Sequence, residues 1–180
     1  MYGKRRRSEL EDIQKNAAGE YVYVGDLYGY CGGVPRRQAL ALVWTAAGLA
    51  GLCMLGAGLL PAPGMAGCWY VPVPYVLSLV TMVSLLWGLG QLTAAGDPIR
   101  AFVYDTACRS LPRRALAAAV FAGLSALGEG VFLLRHGPEG RMLPAAGFLG
   151  LTLAGCGLAA AARIGLNRLQ WIKQTRGNAD

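Results

Sequence analysis

Charged residues are scarce in this sequence, and they largely avoid its long apolar segments. Only 15% of the 180 residues are Asp, Glu, Lys or Arg, whereas 54% are hydrophobic. That balance lies outside the usual composition of soluble globular domains. We therefore expect a membrane protein rather than a soluble domain.

The residue patterns of common catalytic and metal sites are also absent. The sequence has no Gly-x-Ser-x-Gly nucleophile elbow, no phosphate-binding glycine loop and no His-Glu-x-x-His pair. His136 is the only histidine, and the five cysteines include no Cys-x-x-Cys pair. We predict no enzymatic activity, no metal and no cofactor.

Four apolar runs are each long enough to cross a bilayer as a helix. A helix that rises 1.5 Å per residue needs about 20 residues to span ~30 Å of hydrocarbon. The predicted fold is therefore all-α: a polytopic membrane protein whose four transmembrane helices form two helical hairpins. The predicted helices span residues 39–60, 71–95, 115–134 and 143–162.

The parts of the chain around these runs are predicted to be short. Residues 1–37 form a partly disordered N-terminal segment, which precedes a membrane domain over 38–162. Within the loop 96–114, Asp97-Pro98 predicts an N-cap and the first turn of a short amphipathic helix. The basic tail 163–180 is expected to continue the last helix along the membrane surface.

The distribution of basic residues predicts the orientation in the membrane. Fifteen of the 17 Lys and Arg residues precede the first run, follow the fourth, or lie in the loop between the second and third. Only Arg135 and Arg141 lie on the opposite side. By the positive-inside bias, both termini are cytoplasmic and the protein is integral to the cytoplasmic membrane, which we expect to be bacterial. The net charge of +7 then indicates anionic lipid at the inner face rather than nucleic acid.

An internal duplication would explain a repeated pattern of residues. The motif Pro35-Arg36-Arg37 recurs as Pro112-Arg113-Arg114 with an offset of 77 residues, and the same offset relates Cys31 to Cys108. Two hairpins that both start inside would form a parallel tandem repeat. Alanine-rich runs also match one another by chance, which leaves coincidence as the alternative.

Glu129 is the only ionisable residue well inside a long apolar run. Burying a carboxylate in a membrane is costly, and such residues are by default candidates for function. We expect a membrane-embedded proton or cation site at Glu129, with the hydroxyls of Ser125, Ser78 and Thr152 at similar depth. The structural alternative is a hydrogen bond between helices that fixes their packing, or a side chain that reaches outward to Arg135 or Arg141.

Two further sets of residues have predicted roles. Small residues four apart permit close helix packing, within one chain or in a homodimer; these are Ala146, Gly150, Ala154, Ala47 and Gly51. Arginines near the inner ends of the helices are expected to contact anionic lipid; these are Arg36, Arg37, Arg113, Arg114, Arg163 and Arg168.

Two classes of function are compatible with these patterns. The first is a small, non-catalytic membrane protein of structural, assembly or regulatory type, with a membrane-protein partner or a second copy. The Tyr-rich stretch 21–30, predicted to be extended or an irregular turn, either lies at the membrane interface or docks a partner as an added strand. The alternative is a small transporter or channel that uses Glu129.

Overall fold

Four long helices make up most of the chain in the computed structural model, which describes residues 13–15, 21–23, 25–137 and 140–174. Each is long and apolar enough to cross a membrane, as predicted. Their bounds differ from the predicted runs by between one and five residues at each end, and a five-residue helix, α2, follows the first. The helices are α1 (Arg36–Gly58), α2 (Pro63–Gly67), α3 (Pro72–Ala94), α5 (Leu111–His136) and α6 (Met142–Asn167), with a three-residue turn α4 (Ala101–Val103) before α5.

Proline and glycine determine where several helices begin and end. Pro35 is the N-cap residue of α1, and Pro72 is the first residue of α3. Proline suits these positions because the first backbone N–H groups of a helix have no partner within it. Helix α5 ends at Gly137, whose φ of 75° lies in the region that favours glycine.

The four long helices pack as a bundle in the cyclic order α1, α3, α5, α6. Helix α6 packs closely along both α1 and α5, and α3 packs along α5, whereas α1 and α3 touch less. Small buried residues on α1 and α6 allow the closest approach; they include Ala47, Ala50, Ala159 and Ala162. The two sequential hairpins therefore differ in packing: the helices α5 and α6 of the second hairpin pack tightly on each other, whereas α1 and α3 of the first do not.

A small antiparallel sheet closes one end of the bundle, which the all-α prediction did not include. Strand β3 (Leu27–Tyr30) lies between β4 (Ile99–Arg100) and β5 (Trp171–Gln174). A separate antiparallel pair joins β1 (Ile13–Lys15) to β2 (Tyr21–Tyr23). We call the end with β3, β4 and β5 the sheet end, and the opposite end, which carries α2, the α2 end.

The sheet overturns two local predictions. Asp97-Pro98 does not start a helix: Asp97 Oδ1 instead accepts a hydrogen bond from the N–H of Tyr30 at 3.4 Å, and the chain continues into β4. Helix α6 continues into the predicted tail only as far as Asn167, and Trp171–Gln174 then pair with β3 instead of extending the helix.

An ion pair adds to the pairing of β5 with β3. Lys173 Nζ lies 2.7 Å from Asp26 Oδ2, and this partner raises the pKa of Lys173 above its ordinary value. Both side chains are about half exposed, so water and salt screen the interaction.

Candidate functional site at the α2 end

Glu129 lies fully buried on α5, facing the short helix α2. Its Oε1 accepts a hydrogen bond from the backbone N–H of Gly64 at 3.4 Å. Gly64 is the second residue of α2, whose own N-cap residue, Ala62, makes no side-chain cap. A carboxylate suits this place, since the first N–H groups of a helix need acceptors and carry partial positive charge. Glu129 therefore caps α2 from a different helix.

Two glycines let α2 lie directly on α5. A Cβ atom built on Gly64 would lie 3.0 Å from Glu129 Cδ, and one on Gly67 would lie 2.7 Å from Phe132 Cε2. A side chain at either glycine would therefore force Glu129 or Phe132 to move. Glu129 and Phe132 are one turn apart on α5, so they form one surface on which α2 rests.

A hydrogen bond also joins the residue after α2 to the first turn of α2. The Cys68 thiol donates to the carbonyl of Gly64 at 3.2 Å, which holds the residue that follows α2 against its first turn. Movement of α2 away from Glu129 would therefore be expected to change the surroundings of Cys68.

The three hydroxyl residues expected near Glu129 are buried, but each bonds to another partner. Ser125 Oγ donates to the carbonyl of Val71 at 3.1 Å, and Ser78 Oγ donates to Met54 Sδ at 3.4 Å. Thr152 Oγ1 donates to the carbonyl of Phe148 at 2.7 Å, one turn earlier on its own helix. Among the described residues, Glu129 Oε2 has no hydrogen-bond partner.

The sequence did not point to three residues that organise this end. Gly64 and Phe132 contact or flank the carboxylate, and Tyr75 donates its hydroxyl to the carbonyl of Met54 at 2.6 Å. Gly64 stands in Pro61-Ala-Pro-Gly, which as a local pattern indicates only a turn. No local signal links it to an acid 65 residues away.

The predicted lipid-contacting arginines fall into two groups. Arg36 donates to the carbonyl of Leu92 at 2.9 Å, near the C-terminus of α3, and Arg114 donates to the carbonyl of Ser84 at 2.8 Å. These two guanidinium groups therefore bond to α3 within the chain and are only partly exposed, while contact of the six arginines with anionic lipid stays a prediction. Arg37, Arg113 and Arg168 are exposed, and Arg163 is half-buried.

The small residues predicted to pack between helices also fall into two groups, one buried and one exposed. Ala47 and Gly51 are buried, and a Cβ on Gly51 would touch Leu86 and Met82 of α3. Ala146, Gly150 and Ala154 lie on the outer face of α6 and are exposed, so they do not pack within this chain. The small residues of α6 that face α1 are Gly155 and Ala159 instead.

No family model, curated protein or solved structure matches this chain. The described part of the chain is a four-helix bundle whose helices are long enough to span a membrane. Its one deeply buried carboxylate, Glu129, bonds to a short helix at the end of the bundle.

Proposed function

We propose that this chain is a small, non-catalytic integral membrane protein that acts in assembly or regulation by binding a partner at its sheet end. The bundle lies in the cytoplasmic membrane, and the sheet end with its adjoining arginines faces the cytoplasm. The observation that supports this proposal most strongly is the open edge of β5.

Strand β5 borders the sheet and has neighbours only on its β3 side in the described part of the chain. The N–H of Cys31 donates to the carbonyl of Gln170 at 3.0 Å. Hydrogen-bonded and non-hydrogen-bonded pairs alternate along an antiparallel ladder, so Tyr28 and Lys173 form a non-hydrogen-bonded pair. The backbone groups of Lys173 consequently point to the open edge, where an added strand would bind.

The arrangement at Glu129 supports the same function. A transport site needs a group that can exchange its ligand with water on either side of the membrane. Glu129 instead holds α2 across the end of the bundle. Ser125 donates a hydrogen bond to the carbonyl of Val71, the residue before α3. Both side chains therefore hold parts of this chain's own fold together.

A matched pair of substitutions at one position tests the proposal. Lys173→Pro removes the outward N–H together with the charge, whereas Lys173→Met removes the charge and keeps the N–H. The protein is extracted from its native membranes in mild detergent, and the mass of the protein component is measured by size exclusion with light scattering. We expect the wild type and Lys173→Met in a complex heavier than one chain, and Lys173→Pro as a single chain. A wild type that is itself a single chain, or a Lys173→Pro protein that stays in the complex, would refute the proposal.

Transport is the second candidate, and one observation favours it. Glu129 Oε2 is buried and has no hydrogen-bond partner among the described residues. A carboxylate oxygen in that position can hold a proton, since burial favours the neutral acid. A proton-coupled carrier would use this group, and a measurement of proton flux through the reconstituted protein separates the two functions.

A further inference from the structure

A cavity of about 340 Å³ opens at the sheet end of the bundle, away from Glu129. Its volume falls in the range of small-molecule sites, roughly 300–1,000 Å³. Apolar residues at the helix ends form part of its wall, namely Leu92 of α3, Pro112 of α5 and Leu166 of α6. The cavity is thus continuous with the apolar ends of three spanning helices.

The remaining wall of the cavity is polar and aromatic. Tyr104, Asp105, Cys108 and Arg109 come from a π-helical turn (Tyr104–Cys108) and the residue after it. Such turns are rare and are frequently found at functional sites. Trp171 of β5 faces the same cavity, and the Arg36 guanidinium lies 5.7 Å from its ring centroid.

Asp105 and Arg109 offer opposite charges to one ligand. They are four residues apart, a spacing at which such side chains often pair on a helix. Here both are exposed, and no ion pair joins them or binds either to another described residue. A purely anionic ligand would meet Asp105, and a purely cationic ligand would meet Arg109. The charges therefore match a zwitterion.

The position of the cavity indicates where that zwitterion resides. The long apolar run of α5 begins at Ala115, only a few residues after Arg109, and α6 ends at Asn167 beside the cavity. If the four helices span a bilayer, the cavity lies at the depth of the lipid headgroups. Its apolar wall is formed by the ends of the spanning helices, and its charged wall by the π-helical turn and Arg109.

We propose that this cavity binds the headgroup of a zwitterionic phospholipid with a primary ammonium, as in phosphatidylethanolamine. Arg109 and the Tyr104 hydroxyl bind the phosphate, and Asp105 binds the ammonium. The glycerol portion lies on Leu92 and Leu166. This site requires the bundle to lie in a bilayer, but it does not depend on the proposed partner at β5.

The test measures lipid retention by the full chain in native mass spectrometry from detergent. Phosphatidylethanolamine and phosphatidylglycerol with identical acyl chains are added separately. We expect the wild type to retain phosphatidylethanolamine more strongly. Arg109→Gln should weaken retention of both lipids about tenfold, as expected for one charge-assisted hydrogen bond, whereas Asp105→Asn should remove only the preference between them. Arg141→Gln, at an exposed arginine of the α2 end and outside the cavity, should change neither.

Three outcomes would overturn the assignment. The first is equal retention of the two lipids by the wild type, and the second is an Arg109→Gln protein that behaves like Arg141→Gln. The third concerns the source of the headgroup: soluble phosphoethanolamine that binds as tightly as the lipid would assign the cavity to a water-soluble ligand. Asp105 and Arg109 are both exposed, so neither substitution is expected to prevent folding.

Discussion

At the scale of single residues, Glu129 shows how a costly buried acid can stabilise a membrane fold. Removing a carboxylate from water is unfavourable, and hydrogen bonding by backbone N–H groups offsets part of that cost. The N–H of Gly64 supplies one such bond at the start of α2. In return, Glu129 positions a five-residue helix that is too short to be stable alone.

Replacing Glu129 with alanine should release α2. The loss of one buried hydrogen bond costs about 1–3 kcal/mol, which corresponds to a roughly tenfold or larger shift toward the released state. Cys68, which follows α2 and is half-buried, should then react about ten times faster with a maleimide, measured by peptide mapping. Leu134→Ala is the control, because Leu134 is on the same helix and 89% exposed. Equal Cys68 rates in the two variants would show that Glu129 does not hold α2.

The sequence identified Glu129 but could not identify what it contacts. A single acid in a long apolar run is conspicuous, because a carboxylate inside a membrane is costly and rare. The partner of that acid is decided by tertiary structure, and the glycine that accommodates it has no side chain to mark it. The hydroxyl residues Ser78, Ser125 and Thr152 were placed at similar depth by counting residues, yet their bonds go to the backbone or to Met54.

At the scale of elements, the contact between α3 and α5 depends on an arginine that lies against a glycine. Arg114 donates to the carbonyl of Ser84, and a Cβ on Gly88 would lie 3.3 Å from Arg114 Nη1 and 2.7 Å from Leu111 Cδ2. The absence of a side chain at Gly88 therefore lets the guanidinium and Leu111 reach the surface of α3.

Arg114→Met should weaken the packing of α3 on α5. A hydrogen bond from a charged donor contributes about 1.5–3 kcal/mol, so we expect the free energy of unfolding to fall by about that amount or somewhat less, since Arg114 is only half-buried. Arg113→Met removes the neighbouring exposed arginine and should stay within about 0.5 kcal/mol of the wild type. Denaturant unfolding in mixed micelles measures both. Equal losses in the two variants would contradict the inward role of Arg114.

The long helices were predictable and the sheet was not, for a physical reason. A run of about 20 apolar residues determines a spanning helix by local composition alone. The sheet joins β3, β4 and β5, which are far apart in the sequence and only two to four residues long. The basic residues after α6 fit an amphipathic helix equally well, and only pairing with β3 makes residues 171–174 a strand.

At the scale of the whole molecule, the bundle is less symmetric than two equal hairpins would be. Helix α6 packs on both α1 and α5, whereas α1 and α3 make less contact. The inward arginines, Arg36 and Arg114, are the first residue of one Arg pair and the second of the other. The 77-residue duplication stays a prediction, and any common ancestor of the two halves has since diverged in packing.

The orientation in the membrane can be tested with the native cysteines. We predict that a membrane-impermeant maleimide added to intact cells labels Cys68, at the α2 end, and does not reach Cys31, which is exposed at the sheet end. Permeabilised cells provide the control, because both cysteines are then open to the reagent. Labelling of Cys31 in intact cells, with Cys68 protected, would reverse the predicted topology.

The central claim is that Glu129 serves the fold of a non-catalytic membrane protein rather than transport. The most direct test reconstitutes the wild type and Glu129→Gln in proteoliposomes and records proton flux under an imposed pH gradient and membrane potential. Gln keeps an oxygen that can accept from Gly64, so the fold should be retained. We expect proteoliposomes with either protein to give the same proton flux as empty liposomes. A flux through the wild type that exceeds the empty liposomes, and that Glu129→Gln abolishes, would contradict it.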